Sequence, residues 1–228
     1  MPRFIRQTPC AALLVVQCIG ILVYPFLEGS FVGRHVFAIL GLLVMALVIF
    51  AIRATPALLW VAVVLAVPAF GLLLTQVFTG NENLMPWASG WEAALYLYGS
   101  VSMLRYMLDD EKVSTDELFA IPVVFTLLGW SFAHLFVVVQ ALDPASFGAT
   151  AANPRTWSDL LFLSFTNVTA TGLSDFVPTT GQARSVLIIE QIAGVFYIAM
   201  VVSRLVAIGA RRQGVEPSTT DPGSPDAN

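Results

Sequence analysis

The sequence predicts an all-α membrane protein with six transmembrane helices and one short re-entrant helix. Of the 228 residues, 57% are hydrophobic and only 11% are charged, whereas a soluble domain is about 25% charged. The apolar residues are gathered into segments close to the ~20 residues that a helix needs to cross a bilayer. This composition argues against a water-soluble globule, and the chain is not basic enough to suggest a nucleic-acid partner.

Six segments predict the spanning helices. Five are apolar or nearly so, and they cover residues 10–27, 36–52, 56–78, 118–142 and 183–210. The sixth, residues 91–108, carries Glu92, Ser100, Ser102 and Arg105. Because polar side chains are costly in lipid, we expect this helix to face other helices.

The first apolar segment raises the question of a signal peptide, since Arg3 and Arg6 precede it. The apolar run continues to Leu27 without a small-x-small cleavage site, so we expect a retained transmembrane helix. Cys10 and Cys18 both lie in this segment, and the chain has no other cysteine to complete a metal site. Ordinary apolar packing is the role expected of both.

A seventh apolar stretch, residues 157–168, is too short to span a membrane and predicts a re-entrant or interfacial helix. Asn153 followed by Pro154 is a favourable helix start, because Asn caps and Pro suits the first turn. Trp157 suits the membrane interface. The helix should run inward to about Thr169, where its partial negative charge would favour a cation.

Basic residues predict the orientation through the positive-inside rule. With six spans and both termini inside, eight Lys and Arg residues fall on the cytoplasmic side and three on the outer side. The short helix would then enter from outside. The inner set is Arg3, Arg6, Arg53, Arg105, Lys112, Arg204, Arg211 and Arg212, and the outer set is Arg34, Arg155 and Arg184.

A polar linker, DDEKVSTDE at residues 109–117, divides the chain. It separates a four-helix N-terminal region, residues 1–110, from a two-helix part, residues 111–213, which begins with Ser114 or Thr115 as a predicted helix cap. Residues 214–228 are rich in Pro, Ser, Thr, Gly and Asp, and predict a disordered cytoplasmic tail.

The strip TATGLSD, residues 169–175, follows the short helix. Non-helical backbone is tolerated at membrane depth only where protein buries it or where it lines a water-filled path. Backbone carbonyls near a helix C-terminus suit cation coordination. Two interpretations remain open on spacing alone: the strip lines a pore, or it is a capped outer loop between two spans.

The sequence SFTNVTATGLSDFVPTTGQARSVLIIEQIAGVFYIAMVVSRLV resembles the pore module of the potassium-channel superfamily, especially its small bacterial six-span members. The family pattern is T-T-V-G-Y-G-D, then a hydrophobic stretch and Pro, then an inner helix. The resemblance covers about residues 114–210. The matching positions of the inner helix are Ala183, Arg184, Ser185, Glu190, Gly194, Tyr197 and Ala199.

Within the strip, Thr169, Gly172 and Asp175 match the family pattern, and four positions depart from it. The departures are Ala170 for Thr, Thr171 for Val, Leu173 for Tyr and Ser174 for Gly. The resemblance implies that Ala170 cannot lend a hydroxyl to the innermost ion site and that Leu173 cannot donate a bracing hydrogen bond. Ser174 is less suited than Gly to left-handed backbone.

The resemblance further implies a homotetramer, because one strip cannot encircle an ion. Backbone carbonyls of Thr171, Gly172 and Leu173 would coordinate a monovalent cation, K⁺ first, which would cross passively and with reduced discrimination against Na⁺. We expect no cofactor and no small-molecule substrate. The protein would lie in the cell's inner (plasma) membrane, with the bilayer and its own copies as partners.

Single residues carry further hypotheses. Gly194 is either a gating hinge or a close-packing position. Glu190 is expected to hydrogen-bond the short helix or the strip, in preference to binding a permeating ion. Asp175 either braces the strip mouth, with Trp157 as one partner, or concentrates cations there. Trp157 and Glu190 are thus the expected supports of the strip.

Other signals bound the function. Arg105 is the only basic residue in the fourth predicted span, so steep voltage gating is not expected. His134 is interpreted as a packing residue of the fifth span. Enzyme motifs are absent. The rival hypotheses are a non-conducting, channel-like sensor or assembly partner and, less favoured because inverted repeats are absent, a secondary transporter.

Overall fold

The computed structural model describes residues 9–27, 31–53, 55, 57–109 and 115–213. Across these ranges the secondary structure is helical, with seven α-helices and two short 3₁₀ segments, Glu82–Leu84 and Pro144–Phe147. The α-helices are α1 (Pro9–Leu27), α2 (Phe31–Ile52), α3 (Leu59–Thr79), α4 (Met85–Asp109), α5 (Thr115–Leu142), α6 (Trp157–Val168) and α7 (Gly181–Gln213).

Each predicted helix is present, and the short helix α6 covers the predicted apolar stretch 157–168, without the earlier start expected from Asn153-Pro154. Two starts were placed too late: α2 begins at Phe31 rather than residue 36, and α4 begins at Met85 rather than residue 91. The extra first turns contain Gly, Arg, Pro or Ser, residues that hydropathy alone does not count towards a span.

Four helices of the described chain are long and apolar enough to cross a membrane, over Pro9–Phe26, Leu59–Thr79, Leu118–Leu142 and Gly181–Ala207. The apolar part of α2, Ala38–Ile52, is shorter. Helix α4 is not among the four, and it carries the polar residues noted above. The protein is therefore a multi-pass membrane protein.

Helix α5 lies at the centre of the fold. It contacts α1, α4, α6 and α7, and 72% of its apolar stretch is buried inside the protein. The corresponding fraction is only 17% for α3 and 22% for α7. These two helices therefore lie at the periphery of the described chain, with most of their apolar surface turned away from it.

Helix α4 turns its polar residues towards the protein, as predicted. Glu92, Ser100 and Ser102 are buried, whereas Arg105 is exposed. Ser100 donates a hydrogen bond to the Tyr96 carbonyl one turn back, which satisfies its hydroxyl within the helix. Packing against α5 thus keeps these groups away from lipid.

The two cysteines are free thiols, Cys10 buried and Cys18 exposed. Several predicted features lie outside the described residues: Arg3 and Arg6, residues 110–114 of the linker with the cap candidate Ser114, and the tail at 214–228. The other cap candidate, Thr115, is the first residue of α5.

Candidate pore site

Helix α6 begins with a capping box. The Thr156 hydroxyl accepts the Asp159 amide at 3.2 Å, and the Asp159 carboxylate accepts the Thr156 amide at 3.1 Å. The predicted cap at Asn153 is wrong, since Asn153 closes a turn with Thr150 instead. The reciprocal pair satisfies two backbone amides, whereas an Asn153 cap would satisfy one, and this favours the helix start at Trp157.

The C-terminus of α6 is a Schellman turn. The Ala170 amide donates to the Asn167 carbonyl and the Thr171 amide donates to the Thr166 carbonyl, both at 2.9 Å. Ala170 occupies the left-handed position of this turn, with φ 58°. The first residues of the strip therefore serve as the C-cap of the short helix.

Further donors converge on the Thr166 carbonyl. It accepts the Gly172 amide at 2.9 Å and the Thr171 hydroxyl at 3.1 Å in addition to the Thr171 amide. The Thr169 hydroxyl donates to the Phe165 carbonyl at 2.6 Å. The last turn of α6 is thus closed by donors of the strip itself, and both threonine hydroxyls face the helix.

The backbone carbonyl groups of the strip, between positions 169 and 175, in contrast accept no hydrogen bond from the described residues. The side chains of Ala170, Thr171, Leu173 and Asp175 are exposed. The strip therefore presents unpaired carbonyl oxygens at the surface of a single chain.

Left-handed backbone in the strip falls at Ala170 and Gly172, with φ 64° at the glycine, and Ser174 avoids it. The Ser174 hydroxyl instead accepts the Phe176 amide at 3.4 Å. Leu173 is 74% exposed, so it does not pack against the helices of its own chain in place of the family's Tyr.

The segment after the strip is anchored to the outer end of the fold. Phe176 is buried, and the Arg155 guanidinium lies 4.4 Å from the centre of its ring, a cation–π contact. Arg155 Nε also donates to the Phe147 carbonyl at 3.2 Å. The Thr179 amide donates to the Ser146 carbonyl at 2.8 Å. The sequence analysis counted Arg155 among the outer basic residues but predicted none of these contacts.

Helix α6 is held between two glycines. A Cβ at Gly129 of α5 would lie 3.1 Å from the Phe165 ring. A Cβ at Gly194 of α7 would lie 2.9 Å from Val168 Cα and closer still to the Val168 carbonyl oxygen. Gly194 is therefore a close-packing position, the second of the two interpretations offered for it.

Helix α7 packs through a narrow seam. Its buried residues recur at alternating spacings of four and three, the pattern of a coiled-coil seam, and the rest of the helix is mostly exposed. The seam consists of Ala183, Leu187, Glu190, Gly194 and Tyr197.

Two side chains of this region join α7 to α6. Glu190 Oε1 hydrogen-bonds with the Ser164 hydroxyl, a bond of the kind predicted for it. The Gln191 amide nitrogen donates to the Asn167 amide oxygen at 3.1 Å. Asn167 in turn donates to the Leu163 carbonyl at 2.7 Å.

Trp157 packs inside the protein, with its ring 5.0 Å from Tyr24, 5.3 Å from Trp130 and 5.7 Å from His134 between centroids. The suggested hydrogen bond between the Trp157 indole and the Asp175 carboxylate is not formed, because the carboxylate is exposed and the indole is buried.

His134 is buried, as a packing residue should be, but it also has a partner that the sequence did not suggest. Its Nδ1 lies 3.3 Å from Glu92 Oε2, without the alignment of a hydrogen bond. This contact joins α5 to α4.

An outer helix, a short helix that ends in a strip of unpaired carbonyls, and an inner helix define a pore-type membrane domain. Residues 120–210 match the model of a family described as "Ion channel". The match runs from α5 through α6 and the strip into α7, so this segment is an ion-channel domain. It confirms the predicted relationship to the potassium-channel superfamily. No curated protein and no solved structure matches the chain significantly.

Proposed function

We propose that this protein is the pore-forming subunit of a homotetrameric cation channel, through which K⁺ crosses passively along residues 169–175. The observation that carries the proposal is the strip of unpaired carbonyls at the end of α6, within an ion-channel domain. Carbonyl oxygens can replace the hydration shell of a monovalent cation. The carbonyls of Thr171, Gly172 and Leu173 are the proposed ligands.

Four copies are needed because one strip supplies only one side of an ion path. The exposed strip and the largely uncovered α7 are the surfaces that would meet around the four-fold axis. In that arrangement the seam of α7 faces its own subunit, and its outer faces contact neighbouring subunits, the pore or lipid.

Selectivity for K⁺ over Na⁺ should be weak. Ala170 has no hydroxyl to offer an inner site, and the hydroxyls of Thr169 and Thr171 bond the end of α6. Leu173 lacks a donor that could brace the outer end. Fewer and less firmly held sites discriminate less well between two ions.

The proposed topology has six spans, α1 to α5 and α7, with α6 entering from outside and both termini in the cytoplasm of a cell bounded by its inner membrane. Arg105 is the only basic residue of α4, so opening should depend weakly on voltage. The ion-channel domain supports the proposal that this protein transports cations and is not an enzyme.

The test is the reversal potential of currents through the purified protein in planar bilayers, with K⁺ on one side and Na⁺ on the other. A reversal well short of the K⁺ equilibrium potential is expected. Reversal at that potential would contradict weak selectivity, and the absence of any current from correctly assembled protein would contradict conduction.

A non-conducting, channel-like sensor or assembly partner is the second candidate. The closed Schellman turn favours it, because the amides of residues 170–172 fold back on α6 rather than running extended. A tetramer structure in K⁺ would separate the two functions. Ion density beside Thr171 and Gly172 supports conduction, and a strip that blocks the axis supports the sensor.

A further inference from the structure

The Ser164 hydroxyl of α6 lies between two acceptor groups. On one side is the Gly129 carbonyl of α5, 2.7 Å from Ser164 Oγ. On the other side is Oε1 of Glu190 in α7. Ser164 is completely buried, so no bulk water takes part. Three helices of the ion-channel domain thus meet at one hydroxyl group.

The number of hydrogens on these groups decides which group donates in each of the two hydrogen bonds. A serine hydroxyl carries one hydrogen and can accept further bonds at its oxygen. A carbonyl oxygen can only accept, so Ser164 must donate its single hydroxyl hydrogen in the bond to the Gly129 carbonyl. The bond between Ser164 and Glu190 then needs a second proton, and only Glu190 can supply it.

The surroundings of Glu190 agree with a neutral side chain. It is fully buried, and its Oε2 has no hydrogen-bond partner among the described residues. It forms no ion pair with any charged group in the described ranges. The other polar residue of the seam, Tyr197, donates its hydroxyl hydrogen to the Ile121 carbonyl of α5. A buried carboxylate without a cation or donors would be costly.

We propose that Glu190 is held as a protonated acid and donates its proton to Ser164. The hydrogen bonds then run in one direction, from Glu190 Oε1 to Ser164 Oγ and from Ser164 Oγ to the Gly129 oxygen. Glu190 is thereby a positioning residue for α6, the helix whose last turn carries the strip. The inference concerns the fold and holds whether or not the protein conducts ions.

Infrared spectroscopy of the purified protein in lipid, with ¹³C-labelled glutamate, tests the proton directly. A protonated carboxyl and a carboxylate absorb in well-separated regions. In the difference between wild type and Glu190→Gln, we expect the loss of one protonated-carboxyl band at neutral pH and no change among the carboxylate bands. Loss of a carboxylate band instead would overturn the proposal.

Ser164→Ala provides the second measurement, because it keeps Glu190 and removes its acceptor. The protonated-carboxyl band should remain and shift to higher frequency, as a weaker hydrogen bond requires. An unshifted band would show that Glu190 does not donate to Ser164.

Glu92→Gln is the matched control, since Glu92 is also a buried glutamate. It should leave the band assigned to Glu190 in place and unshifted by comparison with wild type. If Glu92→Gln removes that same band, the assignment to Glu190 is wrong.

Discussion

Gly194 of α7 lies directly against Val168, the last residue of α6, with no room for a side chain between them. We predict that Gly194→Ala forces the two helices apart and lowers the free energy of unfolding by about 1–3 kcal/mol, the usual cost of overpacking. Thermal unfolding of the purified protein in detergent measures this. The strip should also be disturbed, since Val168 adjoins it.

Gly209→Ala is the matched control, because it lies in the same helix and a Cβ there meets nothing within 4 Å. It should leave stability unchanged or raise it by up to about 1 kcal/mol through helix propensity. A Gly194→Ala protein that is as stable as wild type but opens less often would favour the hinge interpretation over the packing one.

Among the described residues, Ala170 is the one non-glycine residue whose backbone has a left-handed conformation. Such a conformation costs an L-residue roughly 1–2 kcal/mol, so Ala170→Gly should stabilise the protein by up to about 1 kcal/mol. Ala170→Thr should destabilise it, because a β-branched residue is a poor occupant of that region. Thermal unfolding of both variants checks the opposite signs.

Ser174→Gly serves as the comparison, since position 174 has no positive φ. It should change stability by less than either variant at Ala170. The same variants test selectivity: if the double change Ala170→Thr with Ser174→Gly does not move the reversal potential towards that of K⁺, those two departures do not explain weak selectivity.

The helical plan of the ion-channel domain could be predicted from sequence because its signals are local. The short apolar run from Trp157 to Val168 is bounded by turn residues, and its bounds were correct. The capping signal was also local, because Thr156 and Asp159 have the spacing of a capping box. It was missed because Asn153-Pro154 was taken as the helix start.

The contacts between helices could not be predicted, because they join positions far apart in the chain. Nothing in the sequence pairs His134 with Glu92 or Arg155 with Phe176. The turn at Ala170 was missed for a different reason. Alanine carries no signal for left-handed backbone, and the hydrogen bonds to Thr166 and Asn167 impose it.

Arg155 anchors the segment after the strip through the ring of Phe176. Arg155→Lys keeps the charge but loses the planar guanidinium and its Nε bond to Phe147. We expect a loss of about 0.5–1 kcal/mol in stability and a change in the permeability ratio of K⁺ to Na⁺. Thermal unfolding and bi-ionic reversal potentials measure the two effects.

Arg184→Lys is the control for charge at the outer mouth. Arg184 is exposed, and its Nε donates to the Pro178 carbonyl at 3.2 Å, without a cation–π contact to any described ring. It should change both quantities less than Arg155→Lys does. Equal effects of the two variants would mean that the cation–π contact does not position the strip.

The buried contact between Glu92 and His134 ties the N-terminal helices to the ion-channel domain through α4 and α5. Truncating either side chain leaves a buried polar neighbour without this contact, and a buried polar group left unsatisfied costs about 1–3 kcal/mol. We therefore predict that Glu92→Ala and His134→Ala each destabilise the protein, whereas the double variant costs less than their sum.

A double-mutant cycle on unfolding should give a coupling energy of about 0.5–3 kcal/mol. Glu92→Ala combined with Gly209→Ala, which shares no partner with it, should be additive, and additivity in the first cycle as well would show that the 3.3 Å contact contributes nothing.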